Sequence, residues 1–279
     1  MKAEVSKKDD GTIDIKITIP WADVDKARQV AEEELIKNVS QPGFRKGKTP
    51  PKIAKQALDK QKVDEEMLNK LLPKYYIEAL RQNNLNPIIT PQIHVEAFHD
   101  GTDLVYSAQT CEEPVVELNN YKEEVKKVTA KSKIIVPGKE NPPAGGKPNL
   151  DEIIDVVLKH TKIRIPSILT EKESTRLLAQ LLDELKTLGL TLEQYLSSKS
   201  KTGETLKQEY TEKAERDLRL EFLLRKIADE EKITVEQKDI DQVINTVKDE
   251  TQKAELLKNP YILASIIRQQ KTLDFLSKI

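Results

Sequence analysis

Residues 12–20 read TIDIKITIP, and this stretch decides the fold of the first part of the chain. Its four isoleucines alternate with polar residues, which is the period of a strand with one buried face. The turn signal Asp9-Asp10-Gly11 precedes it, so the sequence predicts a hairpin over the first twenty residues. Pro20 ends the second strand. From Asp23 the apolar residues take helical spacing, at Val24, Ala27, Val30, Ala31 and Leu35.

The segment after this first helix begins with a loop. Three prolines and two glycines lie within residues 41–52, a composition typical of irregular structure. Two further helical patterns follow, at residues 53–58 and 67–80. Pro73 lies inside the second of them, so we expect a kink or a break there.

A second hairpin closes this part of the chain. Apolar residues alternate from Ile93 to Thr110 on both sides of the turn signal His99-Asp100-Gly101. The order of elements in residues 1–111 is therefore ββαααββ. This order predicts an α+β domain with an antiparallel sheet.

The chain changes character after residue 111. Residues 112–149 are rich in lysine, and Pro142–Pro148 holds three prolines and two glycines, so we expect an extended linker. In residues 150–279 the apolar spacing is helical throughout, with Gly189 as a stop signal, which predicts an all-α domain. Charged residues make up 33% of the chain, against a typical quarter, so we expect the chain to be elongated or multi-lobed, with an elongated helical domain.

The composition excludes several classes of protein. The chain has 279 residues, of which 46 are basic and 47 acidic. It contains no run of 18 apolar residues, so we expect no membrane span, and its first ten residues lack the apolar core of a secretory signal. Cys111 is the single cysteine, which excludes an internal disulfide and a multi-cysteine metal site. A cytoplasmic location is the default expectation.

Patterns for catalysis or metal binding are weak. The soft ligands are Cys111 and three scattered histidines, His94, His99 and His160, and such histidines are more often surface or core residues than a site. No serine has a histidine and an acid arranged beside it. The carboxylates lie on predicted solvated helix faces, so paired-acid catalysis is disfavoured. We expect no metal and no cofactor.

The most informative segment is the loop Gly43-Phe44-Arg45-Lys46-Gly47-Lys48-Thr49-Pro50. Residues 37–62 hold eight basic residues and one acid, a charge of +7 in a chain whose total is −1. Such a patch is typical of a surface that binds phosphates or an acidic protein. An exposed aromatic side chain beside arginine adds stacking or fills a partner pocket. The structural alternative is that Phe44 packs into its own domain.

The same loop can be compared with a nucleotide-binding loop. Gly43-x-x-x-Gly47-Lys48-Thr49 has three intervening residues where that pattern has four, and it follows a predicted helix instead of a strand. Pro50 removes a backbone donor where the next helix should begin. Nucleotide hydrolysis is therefore disfavoured.

The loop strongly resembles the ribosome-docking signature of trigger factor, a family of bacterial ribosome-associated chaperones. Residues 1–111 are similar in element order to that family's ribosome-binding domain. Residues 150–279 resemble its helical domain, which Ile165-Pro166 opens and in which Ile233-Thr234-Val235 follows the long helix. The resemblance implies that the large ribosomal subunit, beside the exit tunnel, is contacted by Phe44, Arg45 and Lys46. It also implies that the loop is framed by Gly43, Gly47, Lys48 and Pro50.

The resemblance further implies that the helical domain holds unfolded or nascent polypeptide in a cradle without ATP. Typical members insert an FKBP-like prolyl isomerase domain, and the residues between 118 and 150 are too few for one. We therefore expect no isomerase activity, and a weak homodimer is possible when the protein is free. The alternatives are a free RNA-binding or translation-associated module that uses the patch at 37–62, a ribosome-independent holdase, and a residual prolyl isomerase.

Overall fold

The computed structural model describes residues 1–38, 58–132, 149–246, 253 and 257–279. These residues form two compact units, Met1–Glu113 (unit 1) and Pro114–Ile279 (unit 2). Unit 1 contains β1 (Lys2–Lys7), β2 (Thr12–Ile19), α1 (Trp21–Asn38), α2 (Lys60–Gln82), β3 (Gln92–Ala97) and β4 (Leu104–Cys111). Unit 2 contains β5 (Val116–Glu117), α3 (Tyr121–Ser132), α4 (Leu150–His160), β6 (Lys162–Ile163), α5 (Ser167–Thr187), α6 (Leu192–Ser198), α7 (Gly203–Glu230), α8 (Gln237–Thr246) and α9 (Pro260–Lys278).

The predicted fold class, an α+β part followed by a helical part, is confirmed. Both predicted hairpins are present in unit 1, and each turn has a glycine with positive φ, Gly11 at 90° and Gly101 at 85°. The predicted loop at 41–52 and residues 53–57 of the following pattern lie outside the described residues. None of the described helices is long and apolar enough to cross a membrane.

Unit 1 is built on a four-stranded antiparallel sheet in the order β1-β2-β4-β3. Its central pair joins the two hairpins, with Ile15 opposite Ala108 and Ile17 opposite Tyr106. All four isoleucines of β2 are at most 1% exposed. The alternation in β2 therefore defines the sheet face that packs in one core with buried residues of α1 and α2.

Of the kink or break predicted at Pro73, the break is absent, because α2 is one helix from Lys60 to Gln82. A proline inside a helix removes one backbone hydrogen bond. Apolar residues are buried on both sides of it, including Leu71 and Tyr75, so packing on the sheet offsets that loss. The Tyr106 hydroxyl also donates a hydrogen bond of 3.0 Å to the Leu72 carbonyl, which links the helix to the sheet beside the proline.

Residues 116–117 of the predicted extended linker are extended, but the prediction is wrong for residues 121–132, which form a helix. In β5, Val116 pairs with Ile163 of β6, so one two-residue strand interrupts the predicted all-helical region. Helix α3 follows, and Tyr121, Val125 and Thr129 are buried along one of its faces. Lys122, Lys126 and Lys127 are exposed on its other faces, which explains why its composition suggested a linker. Residues 133–148 lie outside the described part.

The main core of unit 2 joins α3, α4, α7 and α9. Its fully buried side chains include Val125, Ile153, Leu223 and Ile227. Helices α5 and α7 pack along each other, and a second cluster at Leu181, Leu185 and Leu206 lies near α6. A smaller cluster holds α8 against α9. Residues 192–198 form the short helix α6.

Candidate functional site

The predicted docking residues lie outside the described part of the chain. These are Gly43, Phe44, Arg45, Lys46, Gly47, Lys48 and Pro50. Of the eight basic residues in the patch at 37–62, the structure describes Lys37, Lys60 and Lys62, and all three are exposed. The structure therefore shows the two helices, α1 and α2, that flank the segment 39–57 in the chain.

A charged cluster, here the Arg28 cluster, joins these two helices to the turn between β3 and β4. Arg28 Nη2 lies 3.1 Å from Asp64 Oδ1 in α2, and Nη1 lies 2.7 Å from Asp100 Oδ1 in the turn. Lys60 Nζ binds the other oxygen of Asp100 at 2.6 Å. The cluster has two positive and two negative side chains, so its charges balance.

Two aromatic rings hold the guanidinium of Arg28 in place. Its central carbon lies 5.4 Å from the centre of the Trp21 ring and 5.6 Å from that of Phe98, within range of cation–π attraction. The side chain is 14% exposed. The backbone N–H of Trp21 also donates to Asp103 at 2.9 Å, so the start of α1 is fixed to the same turn.

The electrostatics of Asp100 agree with this geometry. The Lys60 ammonium and the Arg28 guanidinium, in that order, lower the pKa of the Asp100 carboxyl from its ordinary value of 3.8. The carboxylate is therefore charged at neutral pH.

The first turn of α2 is capped by Asp59, whose side chain accepts a hydrogen bond of 3.0 Å from the backbone N–H of Gln61.

Unit 2 exposes an apolar group at the start of α9, here the α9 surface. It consists of Leu257, Tyr261, Ile262 and Ile266, which are 55%, 90%, 60% and 54% exposed. Ile262 and Ile266 lie one helical turn apart and so share a face. Contiguous exposed apolar side chains are typical of surfaces that bind another polypeptide.

A cavity of about 450 Å³ adjoins this surface between α7 and α9. Its walls include Leu224, Ala228 and Ala264, and Tyr261 also lines it. Arg268 stiffens the wall, because it donates to the Ile233 carbonyl at 2.8 Å and to Asp229 at 2.7 Å. The cavity and the α9 surface together could accept an apolar side chain of a bound polypeptide.

A second exposed apolar group lies around the end of α5. Its members, Leu182, Leu188, Leu190 and Leu192, are between 37% and 72% exposed. Apolar side chains at helical spacing can be buried in a core or can line an open cradle for a bound polypeptide. Spacing alone does not separate the two uses, because buried and exposed leucines here are neighbours in the chain.

The histidines and the cysteine considered for metal binding are separated in the structure. His94 pairs with Ser107 across the β3–β4 hairpin, whereas Cys111 pairs with Thr12 and is buried. Within the described ranges, no group of three or more His, Cys, Asp or Glu side chains could share a metal ion. Sequence reasoning missed the Arg28 cluster, whose members lie far apart in the chain.

Comparison with known proteins gives a consistent assignment. Residues 1–136 match the family profile described as "Bacterial trigger factor protein (TF)", and residues 147–278 match that described as "Bacterial trigger factor protein (TF) C-terminus". Over 122 residues, 44% of this chain, proteins named trigger factor from Staphylococcus epidermidis, Staphylococcus saprophyticus and Staphylococcus aureus are 33%, 34% and 32% identical to it. These matches span 28% of the length of each relative.

A solved structure resembles the whole chain. It is described as "Promiscuous Substrate Recognition in Folding and Assembly Activities of the Trigger Factor Chaperone". The TM-score is 0.66 over 100% of this chain and 99% of that one, at 14% sequence identity. At this identity the likeness shows the fold.

Proposed function

The chain belongs to the trigger factor family, and we propose that it is an ATP-independent chaperone that docks on the large ribosomal subunit and holds nascent or unfolded polypeptides. The observation that carries the proposal is the sequence GFRKGKTP at residues 43–50, which lies in the chain between helices α1 and α2 of an α+β unit. A cytoplasmic location follows from this role.

For docking, we assign ribosome contact at the exit tunnel to Phe44, Arg45 and Lys46. Two cations suit ribosomal RNA phosphates, and the phenylalanine suits a pocket or a stacked base. The other loop residues, Gly43, Gly47, Lys48 and Pro50, frame the loop. The exposed lysines of the patch, such as Lys37 and Lys62, add long-range attraction to an acidic partner.

For holding a polypeptide, we assign the α9 surface and its cavity. Exposed apolar side chains bind unfolded segments without regard to sequence, because the hydrophobic effect is not directional. Only residues 137–146 lie between the two matched segments. So short a gap supports a protein without the family's isomerase domain. We therefore expect a proline-peptide isomerisation assay to show no rate above the uncatalysed one.

Co-sedimentation with ribosomes tests the docking assignment. The intact chain should pellet with large subunits, and the variant Phe44→Ala/Arg45→Ala/Lys46→Ala should remain in the supernatant. The control Lys186→Ala/Lys199→Ala also removes two positive charges, but from exposed positions in unit 2. It should pellet like the intact chain. If the loop variant pellets as well as the intact chain, the docking assignment is wrong.

A second candidate function is a free RNA-binding module, which the charge of +7 in residues 37–62 favours. Such a module should bind short RNA as tightly as it binds ribosomes, with an affinity that falls steeply as salt rises. Negligible binding of naked RNA would reject it. If the intact chain binds neither, but still delays aggregation of an unfolded protein, it is a ribosome-independent holdase.

A further inference from the structure

We propose that Arg28 is a positioning residue for ribosome docking: it fixes the first turn of α2 against α1 and the β3–β4 turn, and so sets where the segment 39–57 joins the unit. The proposal rests on the proposed function, since the docking loop lies in that segment. It assigns a role to a side chain that does not itself contact the partner.

The first support is the number of elements that meet at one side chain. Arg28 comes from the middle of α1, Asp64 from the first turns of α2, and Asp100 from the turn of the second hairpin. These elements are not joined to one another by a strand ladder. Lys60, the first residue of α2, binds the same Asp100 and so ties the helix start to the turn directly.

The second support is that the site requires arginine. The guanidinium binds two carboxylates through different nitrogens while its plane contacts Trp21 and Phe98. A lysine ammonium is a compact charge that cannot match this planar arrangement. Arg28 Nε is buried and has no hydrogen-bond partner among the described residues, so the rings and carboxylates hold the group in place despite an unsatisfied donor.

The third support is that α1 and α2 are linked again nearer the other end of the segment. Lys70 in α2 binds Glu34, in the last turns of α1, and also Glu66 at 3.4 Å. Helix α1 precedes residues 39–57 and helix α2 follows them. Both helices are therefore held by charged contacts with other elements. By contrast, the pair Lys16–Glu96 at 2.6 Å links strands of one continuous hydrogen-bonded sheet.

The test measures ribosome affinity and local hydrogen exchange in the same proteins. Arg28→Lys keeps the charge but loses the planar contacts, and Asp100→Asn removes the partner that the two cations share. Lys16→Gln is the control, because it breaks an ion pair of unit 1 away from the two helices. Affinity is measured where each variant is shown to be fully folded, so that a loss of stability alone would leave it unchanged.

We expect Arg28→Lys and Asp100→Asn each to weaken ribosome affinity by about fivefold, as when one molecule in five has the competent arrangement. Amide exchange should become faster at residues 60–64 and remain the same at residues 13–19. The double variant should be no weaker than the worse single one, since both changes break one network. Lys16→Gln should match the intact chain.

Each failure has its own pattern. If the loop variant at Phe44, Arg45 and Lys46 loses binding but Arg28→Lys and Asp100→Asn bind like the intact chain, the positioning role is wrong and docking stands. If the intact chain does not bind ribosomes, both proposals are wrong. If Arg28→Lys does not fold, Asp100→Asn, whose side chain is 54% exposed, decides the question alone.

Discussion

Replacing three of the four residues of the α9 surface with alanine should weaken the binding of unfolded polypeptide about thirtyfold. The change is Tyr261→Ala/Ile262→Ala/Ile266→Ala. Complete burial of such a side chain contributes roughly 2 kcal/mol. Scaled by exposed fractions of 90%, 60% and 54%, the three side chains could contribute about 4 kcal/mol in a complex.

Only part of this energy appears as affinity, because a bound segment loses conformational freedom and some polar groups lose water. If half is realised, the dissociation constant rises by about thirtyfold. The fold should tolerate the change, since all three side chains are exposed and alanine favours a helix.

Fluorescence polarisation of a labelled, unstructured apolar peptide measures the affinity, and light scattering measures protection of an aggregating protein. The control variant Gln270→Ala/Asp274→Ala changes exposed polar residues of the same helix and should bind like the intact chain. Affinity within twofold of the intact chain in a folded triple variant would refute the assignment of this surface.

Three further predictions concern stability, measured as free energy of unfolding by chemical denaturation. Tyr121→Phe removes a hydrogen bond of 3.1 Å to the Glu231 carboxylate and should cost about 2 kcal/mol, whereas the control Tyr261→Phe should cost nearly nothing; equal costs would contradict this. Leu223→Ala opens a cavity at a fully buried position and should cost about 3 kcal/mol, and Leu188→Ala, at 72% exposure, should cost far less. Burial, and then a neighbouring aspartate, raises the pKa of Tyr75 from 10.0 to about 12. The unfolded chain therefore loses that proton at a lower pH than the folded chain does. The contribution of Tyr75 to the free energy of unfolding should be complete below pH 10 and fall between pH 10 and 12; a constant free energy of unfolding would reject this coupling.

The two hairpins could be predicted because their signal is local. Alternation from Ile13 to Ile19 assigns one face of β2, and the flanking turn signals give the strand ends. The pairing of β2 with β4 is not local, yet the sheet needs it, because the isoleucine face of one hairpin is too small to form a core. Sequence alone gave the order of elements and left this pairing open.

In helix α3 the composition led to a wrong prediction, whereas the spacing of the apolar residues would have led to the correct one. Tyr121, Val125 and Val128 are spaced as one face of a helix, but the many lysines around them suggested a solvated linker. At Pro73 the proline rule predicted a kink or a break, although the apolar spacing continues on both sides; packing of that apolar face keeps the helix continuous.

The predicted docking loop was identified by residue type and order, which a sequence provides directly. The Arg28 cluster was not identifiable, because Arg28, Asp64 and Asp100 come together only after three elements pack. The α9 surface was visible as apolar residues of a final helix. Its exposure depends on how much of α9 the neighbouring helices cover, and the spacing of apolar residues does not predict that coverage.

The central pairing of β2 with β4 also affects how this protein is made. About 90 residues separate the end of β2 from the end of β4. At a synthesis rate of about 5–20 residues per second, these residues take roughly 5–20 seconds to make. During that interval the isoleucine face of β2 lacks its final strand neighbour, and an unpaired apolar strand is prone to aggregate. New copies of this chain are thus themselves vulnerable to aggregation until residue 111 has been synthesised.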